Sequence, residues 1–440
     1  MKKLKIGIAV LLSATMLTGC GVTDFVQGFK DGYADAAKEQ SPDTGGKAEK
    51  SEKKLDTGKY KTEPSVLKKD TDAEVVRTVE SYVLAEYMPL PYEVDGILTS
   101  TKGGYNIYGP GSMSLHMTNN QIKILEQFPL LYGYLQAASS PTEKVNDPHF
   151  SVNHAVLRFE DPDSALRFAE AENVESLTVG PIFLENEPPN PGEKVEIEGL
   201  PNTLVTSNYA EYNDSVSFSA FTPLEEYVIY TWVSTPAAEA AWGPDYIKKA
   251  LEKQVPMLEQ FPSVKTGAGF GKTDQYPSID PGGVVIYTVE AGEDDQKRVP
   301  GSYGPRGIAS QFTNPKAIHD TLVQTGSKHI GRRESFVFRA DNDFGAKSIL
   351  NAFVSDNLQS GEVEYEEPQG VPDTTCTMSE STNGVQYNCY VVKGRYVGYV
   401  SGSSDTTKEN IEEKKKLVSQ KIAAQYMILQ KADQEAGKDK

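Results

Sequence analysis

The sequence predicts an α+β protein made of two related domains from an internal duplication, each a mostly antiparallel sheet with helices packed on one face. Three observations predict it. Short motifs recur in the same order along the chain. Each run of motifs spells helix, strand, helix, several strands, helix. Turn signals tight enough for hairpins separate some of the strands.

The first copy opens at Thr71-Asp72-Ala73-Glu74, a capping box in which the Thr71 hydroxyl holds one free amide and Glu74 reaches back. Val75, Val76, Val79, Tyr82, Val83, Glu86 and Tyr87 follow at mainly helical spacing, and Pro89 and Pro91 stop the helix. Thr118-Asn119 opens another helix. A strand-like run from Phe150 to Phe159 meets the acidic turn Asp161-Pro162-Asp163, and a helix follows over Ala165 to Ala171. Thr222-Pro223 separates two strands, Ser215–Phe221 and Tyr227–Val233, and a helix from Asp245 to Phe261 ends the copy.

The second copy repeats this order. Tyr108-Gly109-Pro110 recurs as Tyr303-Gly304-Pro305 and Thr118-Asn119 as Thr313-Asn314, both at an offset of 195. Pro315 suits the first helical turn, where a missing N–H costs nothing, and Gly326 closes that helix. Val156-Leu157-Arg158 aligns with Val337-Phe338-Arg339 at 181, within a strand from Ser335 to Ala340. Asp341-Asn342-Asp343 then leads into a helix over Ala346 to Phe353. Tyr227-Val228-Ile229-Tyr230 aligns with Tyr396-Val397-Gly398-Tyr399 at 169, ahead of a last helix over Lys408 to Lys431. Asn383-Gly384 is a hairpin signal. The falling offset fits a second copy with shorter loops. The expected domains are 55–270 and 271–433, side by side with a cleft between them, and then a disordered tail over 434–440.

Ahead of them lies a leader over 1–19. Lys2, Lys3 and Lys5 precede an apolar stretch from Ile6 to Leu17 that is too short to span a bilayer as a helix of about 20 residues. It ends in Leu17-Thr18-Gly19-Cys20, which resembles the lipobox of bacterial lipoproteins. That resemblance implies cleavage before Cys20 and attachment of acyl chains there. An ordinary signal peptide with a chance cysteine is the plainer alternative. Residues 20–54 carry too few apolar side chains to fold alone and read as a flexible tether.

The 440 residues hold 44 Lys+Arg against 62 Asp+Glu, a net charge of −18, and loss of the three leader lysines makes the body more acidic still. An acidic body argues against nucleic acid, which needs a basic footprint. Cys376 and Cys389 remain once Cys20 is lipidated, an even pair suited to a structural disulfide in an oxidising compartment. They flank Ser-Glu-Ser-Thr-Asn-Gly, which places both near a hairpin end.

Several fragments imitate enzyme motifs without assembling into one. Ser65-Val66-Leu67-Lys68, Ser355-Asp356-Asn357 and Lys265-Thr266-Gly267 match the S-x-x-K, S-D-N and K-T-G signatures of penicillin-recognising serine enzymes, but the last two occur in the wrong order. Asp343-Phe344-Gly345 copies the kinase magnesium motif with no glycine-rich loop and no H-R-D. Asp341 and Asp343 lack the remaining ligands of a calcium loop, so capping explains them better. His116, His149, His154, His319 and His329 form no zinc spacing, and His154 alternates with Val152 and Val156 as a strand residue. No G-x-S-x-G elbow occurs. No catalytic residue, metal ligand or cofactor-binding residue is therefore assigned.

Arg158 and Arg339 occupy equivalent strand positions. They are either anion ligands facing a shared cleft or partners of nearby acids at a strand edge. The 23 tyrosines suit sugar or protein surfaces, and equally ordinary strand packing.

Leu55-Asp56-Thr57-Gly58-Lys59-Tyr60 with Pro64, and Tyr87-Met88-Pro89-Leu90-Pro91-Tyr92-Glu93-Val94-Asp95, resemble an uncharacterised lipoprotein family of mycolic-acid-containing actinobacteria. Cys389, Gly394-Arg395-Tyr396-Val397 and Ala423-Ala424-Gln425-Tyr426 fit the same pattern. The resemblance runs from Leu55 to about Leu429 and implies a two-part domain of unknown function at the cell envelope. It implies location and architecture but no activity. The lysine-rich composition departs from the alanine- and arginine-rich norm of such proteins. The expected role is a non-enzymatic module, lipid-anchored at the extracytoplasmic face of the cell membrane, that binds an envelope glycan, lipid or protein in the groove between its domains. A cryptic hydrolase and an assembly adaptor are the alternatives.

Overall fold

The computed structural model describes residues 55–67, 71–141, 149–181, 188–292, 298–382, 384–405 and 407–436. The leader, Cys20 and the tether to residue 54 lie outside the described residues, as does the end of the expected tail.

The first half contains α1 (Ala73–Leu84), α2 (Pro91–Val94), β1 (Ser100–Ile107), α3 (Asn119–Leu125), β2 (Leu130–Ser139), β3 (Ser151–Phe159), α4 (Pro162–Thr178), β4 (Glu193–Val195), β5 (Leu204–Ala210), β6 (Ser215–Leu224), β7 (Tyr227–Pro236) and α5 (Trp242–Gln260). The second half contains β8 (Gly301–Tyr303), α6 (Pro305–Ala309), α7 (Pro315–Gln324), β9 (Ile330–Arg332), β10 (Phe336–Arg339), α8 (Asp343–Gln359), β11 (Val363–Tyr365), β12 (Thr374–Ser381), β13 (Gly384–Lys393), β14 (Tyr396–Ser404) and α9 (Lys408–Ala436). The last helix thus runs into the stretch expected to be a disordered tail.

Each half builds one seven-stranded sheet. The orders are β1-β2-β3-β7-β6-β5-β4 and β8-β9-β10-β14-β13-β12-β11. Adding seven to every strand number of the first gives the second. All neighbouring strands are antiparallel. The registers agree at the centre as well, since Arg158 pairs with Tyr227 and Arg339 with Tyr396.

The helices do not keep to one face, which corrects the expected architecture. Along β7, Tyr227, Ile229 and Val233 enter one core, and Val228 and Tyr230 enter another. The first core contains α5 through Tyr246, Ile247 and Leu251, and the second contains α4 through Ala165, Phe168 and Ala169. The second sheet is likewise sandwiched, by α8 on one face and α9 on the other. A strand buried on both faces must be apolar at successive positions rather than alternate ones, and Tyr227-Val228-Ile229-Tyr230 is.

The halves share one core among the described residues. Tyr82 and Leu84 of α1, Tyr246 of α5, Tyr303 of β8, Ile308 of α6 and Phe353 of α8 belong to one continuous cluster. The ring of Tyr82 packs so closely that a side chain on Gly301 would strike it. The stretch 55–67, expected to open the first domain, lies instead on the second. Tyr60 is buried with Val337, Tyr396 and Ile422, Asp56 accepts hydrogen bonds from Gln420, and Ser65 N–H donates to the Ile286 carbonyl.

Local details refine the sequence reading. Asp72, not Thr71, caps α1, its Oδ1 accepting from Glu74 N–H. Asp161 and Asn342 cap α4 and α8 through Ser164 and Gly345. Thr222 and Pro223 lie within β6, and the turn falls two residues later, at Glu225-Glu226, where Glu225 takes a φ of 51°. Cys376 and Cys389 form a disulfide directly across β12 and β13, well inside the hairpin rather than at its tip.

Candidate functional site

The two arginines singled out in the sequence stand in different sheets and share no partner. Arg158 is fully buried. Its guanidinium contacts Glu80 of α1 at 3.3 Å and Glu226 at 3.2 Å, and donates to Tyr132 Oη and to the carbonyls of Val264 and Phe270. Glu80 also accepts from Val264 N–H. Burial raises the Glu80 pKa, against the pull of Arg158. Two carboxylates and two carbonyls leave this guanidinium little capacity for a ligand, and it holds α1 and the segment after α5 against the sheet.

Arg339 is only partly buried, and its guanidinium has no hydrogen-bond or ion-pair partner among the described residues. The reason lies in the adjoining turns. Glu226 precedes Tyr227 in the first half, and the matching position before Tyr396 is Arg395, which stacks on that ring at 5.6 Å. A carboxylate in one half is replaced by a cation in the other.

A third arginine, which the sequence reading missed, stands where the halves meet. Arg332 ends β9, beside β8. Its guanidinium carbon lies 5.4 Å from the Tyr82 ring centre and 5.7 Å from those of Tyr303 and Phe336, within cation–π range. Nη1 donates to Tyr303 Oη at 2.8 Å. Tyr303 in turn donates to Asn106 Oδ1 in β1, Asn106 Nδ2 donates to Ser81 Oγ at 2.7 Å, and Ser81 donates to the Gly133 carbonyl at 2.7 Å. A single chain of hydrogen bonds thus runs from the second sheet into the first. Tyr108, half-exposed, is within side-chain hydrogen-bonding reach of Arg332 and Tyr82 and acts on both electrostatically. Both tyrosines of the recurring Tyr-Gly-Pro motif therefore converge on Arg332.

The surrounding contacts fix this geometry. Glu86, in the 3-10 turn Ala85–Tyr87 after α1, accepts from Arg306 and Gly307 N–H at the start of α6, and Arg306 also pairs with Glu93. Tyr134 Oη and Ser310 Oγ share a hydrogen bond of 2.7 Å, and burial pushes the Tyr134 pKa up to about 12. Tyr134 therefore remains neutral across physiological pH.

The enzyme-like fragments are used structurally. Ser65 Oγ donates to the Ile286 carbonyl, Thr266 Oγ1 to the Glu160 carbonyl, and Asp356 accepts from Thr313 and Asn314 N–H. Asn357 donates to Thr377 and Tyr390. His154 is buried between Thr231 and Gln254, and burial lowers its pKa to about 4. Among the described residues no group of three or more metal-ligating side chains forms, and no helix is long and apolar enough to cross a membrane.

Two antiparallel sheets of one topology, fused through a common core, define a two-part α+β protein. Two family models match in succession. The N-terminal part of a domain of unknown function, DUF7373, covers residues 67–268, and its C-terminal part covers residues 285–432. Together they take in most of the chain, which belongs to this family. No curated protein matches it. The crystal structure of the extracellular domain of PknH from Mycobacterium tuberculosis is similar at 10% identity with a TM-score of 0.28, over 40% of this chain and 94% of that one.

Proposed function

We propose that this protein is a lipid-anchored module of the cell envelope that binds a glycan, lipid or protein without transforming it, and that it arose by duplication of one α+β unit. The duplication is supported by the identical strand order of the two sheets and by the matched pairs Arg158–Tyr227 and Arg339–Tyr396. Anchoring is supported by the leader and Leu17-Thr18-Gly19-Cys20. Two or more acyl chains, each buried CH₂ contributing about 0.8 kcal/mol, give durable membrane residence. The Cys376–Cys389 disulfide agrees with an oxidising compartment. A role in the envelope of mycolic-acid-containing actinobacteria rests on the residue resemblance alone.

The observation that carries the binding reading is Arg332. Arg158, the other deeply placed guanidinium, has two carboxylates; Arg332 has none among its described partners, and it sits where both halves contribute side chains. Two measurements test the proposal. Cys20→Ala should move the protein from the membrane to the soluble fraction, and unchanged membrane residence would refute anchoring. The full-length protein in non-ionic detergent should melt at a higher temperature with one of the purified envelope glycans, lipids or protein fractions, and no shift with any of them would refute binding.

A further inference from the structure

We propose that Arg332 is the receptor for an oxyanion, the carboxylate or phosphate group of the ligand, which binds the guanidinium edge carrying Nε. This rests on the binding reading above and specifies its chemistry. A guanidinium offers five N–H donors, and its side edge presents two of them in parallel, matched to a carboxylate or phosphate. In Arg332, Nη1 is taken by Tyr303. Nε, on that side edge, is buried and has no hydrogen-bond partner among the described residues; the Nε of Arg158 is likewise unpartnered, but that guanidinium is already neutralised by two carboxylates. Buried donors without partners are rare in folded proteins, because each forfeits its hydration with nothing in return.

Among the described residues, the acids near Arg332 in sequence pair with other cations, although Glu334 Oε1 makes no hydrogen bond. Glu334 pairs with Lys421 at 2.9 Å and lies 3.9 Å from Arg298, and Glu290 pairs with Lys61 and Arg333. The aromatic faces of Tyr82, Tyr303 and Phe336 offset part of the charge but supply no acceptor in the plane of the guanidinium. The hydroxyls of Tyr82 and Tyr303 donate elsewhere, to the Val299 carbonyl and to Asn106. Solvent reaches the cluster at Tyr108, 52% exposed, and at Arg332, itself partly exposed. Arg158 shows what the same side chain recruits when the fold supplies its own counter-ions; at Arg332 the ligand supplies one.

The test is a melting series on full-length protein in non-ionic detergent at fixed ionic strength, with inorganic phosphate or acetate replacing chloride. The wild type should show a saturable rise of about 2 °C or more with at least one anion. Arg332→Gln should show none. Arg332→Lys keeps the charge without the fork and should also lose the rise, so it serves if the glutamine variant does not fold. A rise with phosphate alone or acetate alone identifies the group, and either supports the proposal. No saturable rise in the wild type, or an equal rise in Arg332→Lys, overturns it. If a neutral glycan stabilises the wild type when neither anion does, the binding module stands and its anionic chemistry falls.

Discussion

Glu172 stands on α4 with no exposed surface, and neither of its carboxylate oxygens makes a hydrogen bond. Burial raises its pKa well above the ordinary 4.5, and the neighbouring Gln121 amide offsets this only in part. In the unfolded chain the group ionises near its ordinary pKa; in the folded protein it stays protonated to higher pH. Its contribution to stability is therefore complete below pH 4.5 and is lost as pH rises through the folded value. Glu172→Gln removes that loss. The variant should exceed the wild type by about 1–3 kcal/mol at pH 8, with the gap closing toward pH 4. Urea unfolding at both pH values checks this, and a gap that does not change with pH contradicts it. Such pairings were not legible in the sequence. Glu80 and Glu226 lie 78 and 68 residues from Arg158, so its ion partners could not be found by spacing. The equivalence of Arg158 and Arg339 was legible, because it rests on local strand patterns. Arg332 was missed because its neighbours Tyr82 and Tyr303 come from elements far apart in the chain.

Elements were read better than their joints. The helices after Asp161 and Asn342 and the strands around Arg158 and Tyr396 stand where periodicity and capping chemistry put them. The Thr222-Pro223 turn failed for a physical reason: β6 can carry a proline near its end, and Glu225 accepts the left-handed conformation that the turn needs. The Tyr-Gly-Pro repeat is displaced against the sheet register. Ile107 pairs with Gly133 as Tyr303 pairs with Ile330, so Tyr303 lies inside its strand and Tyr108 just beyond its own. Motif identity alone could not reveal this slip, which leaves one tyrosine buried and the other half-exposed. The disulfide is the element-scale feature with the clearest energetic consequence. It joins Cys376 to Cys389, 13 residues apart, and both are buried in the core shared with α9. Closing so short a loop stabilises by about 3 kcal/mol in the chain-entropy model. Replacing both cysteines with serine should lower the urea midpoint by a corresponding amount and make it insensitive to reductant. A midpoint within error of the wild type would show that the β12–β13 pairing needs no cross-link.

At the scale of the whole molecule, the chain crosses between the halves more than once. Tyr60 lies in the core beneath α9, and the chain then passes into the first sheet and returns for the second. Helix α1, encoded in the first half, contacts both β2 and β8, and Glu86 in the turn that follows it receives the N–H groups that open α6. The Arg332–Tyr303–Asn106–Ser81 chain likewise has donors and acceptors in both halves. Cutting the molecule at the boundary between the two family models would expose one side of the largest core and strip Glu86 of its N–H donors and the Tyr303 hydroxyl of its acceptor, each unsatisfied group costing about 1–3 kcal/mol. The strap over 55–67 would be lost from the second half as well. Residues 285–436 expressed alone should therefore lack a cooperative melt and bind a dye for exposed apolar surface, whereas 55–436 should unfold in one transition. Co-expression of 55–284 with 285–436 should restore the single transition, because the missing surface is supplied in trans. A sharp independent melt of 285–436 would show that the second sheet and its two helix layers suffice by themselves, and that the junction at Arg332 is a docking contact between autonomous domains rather than part of one core.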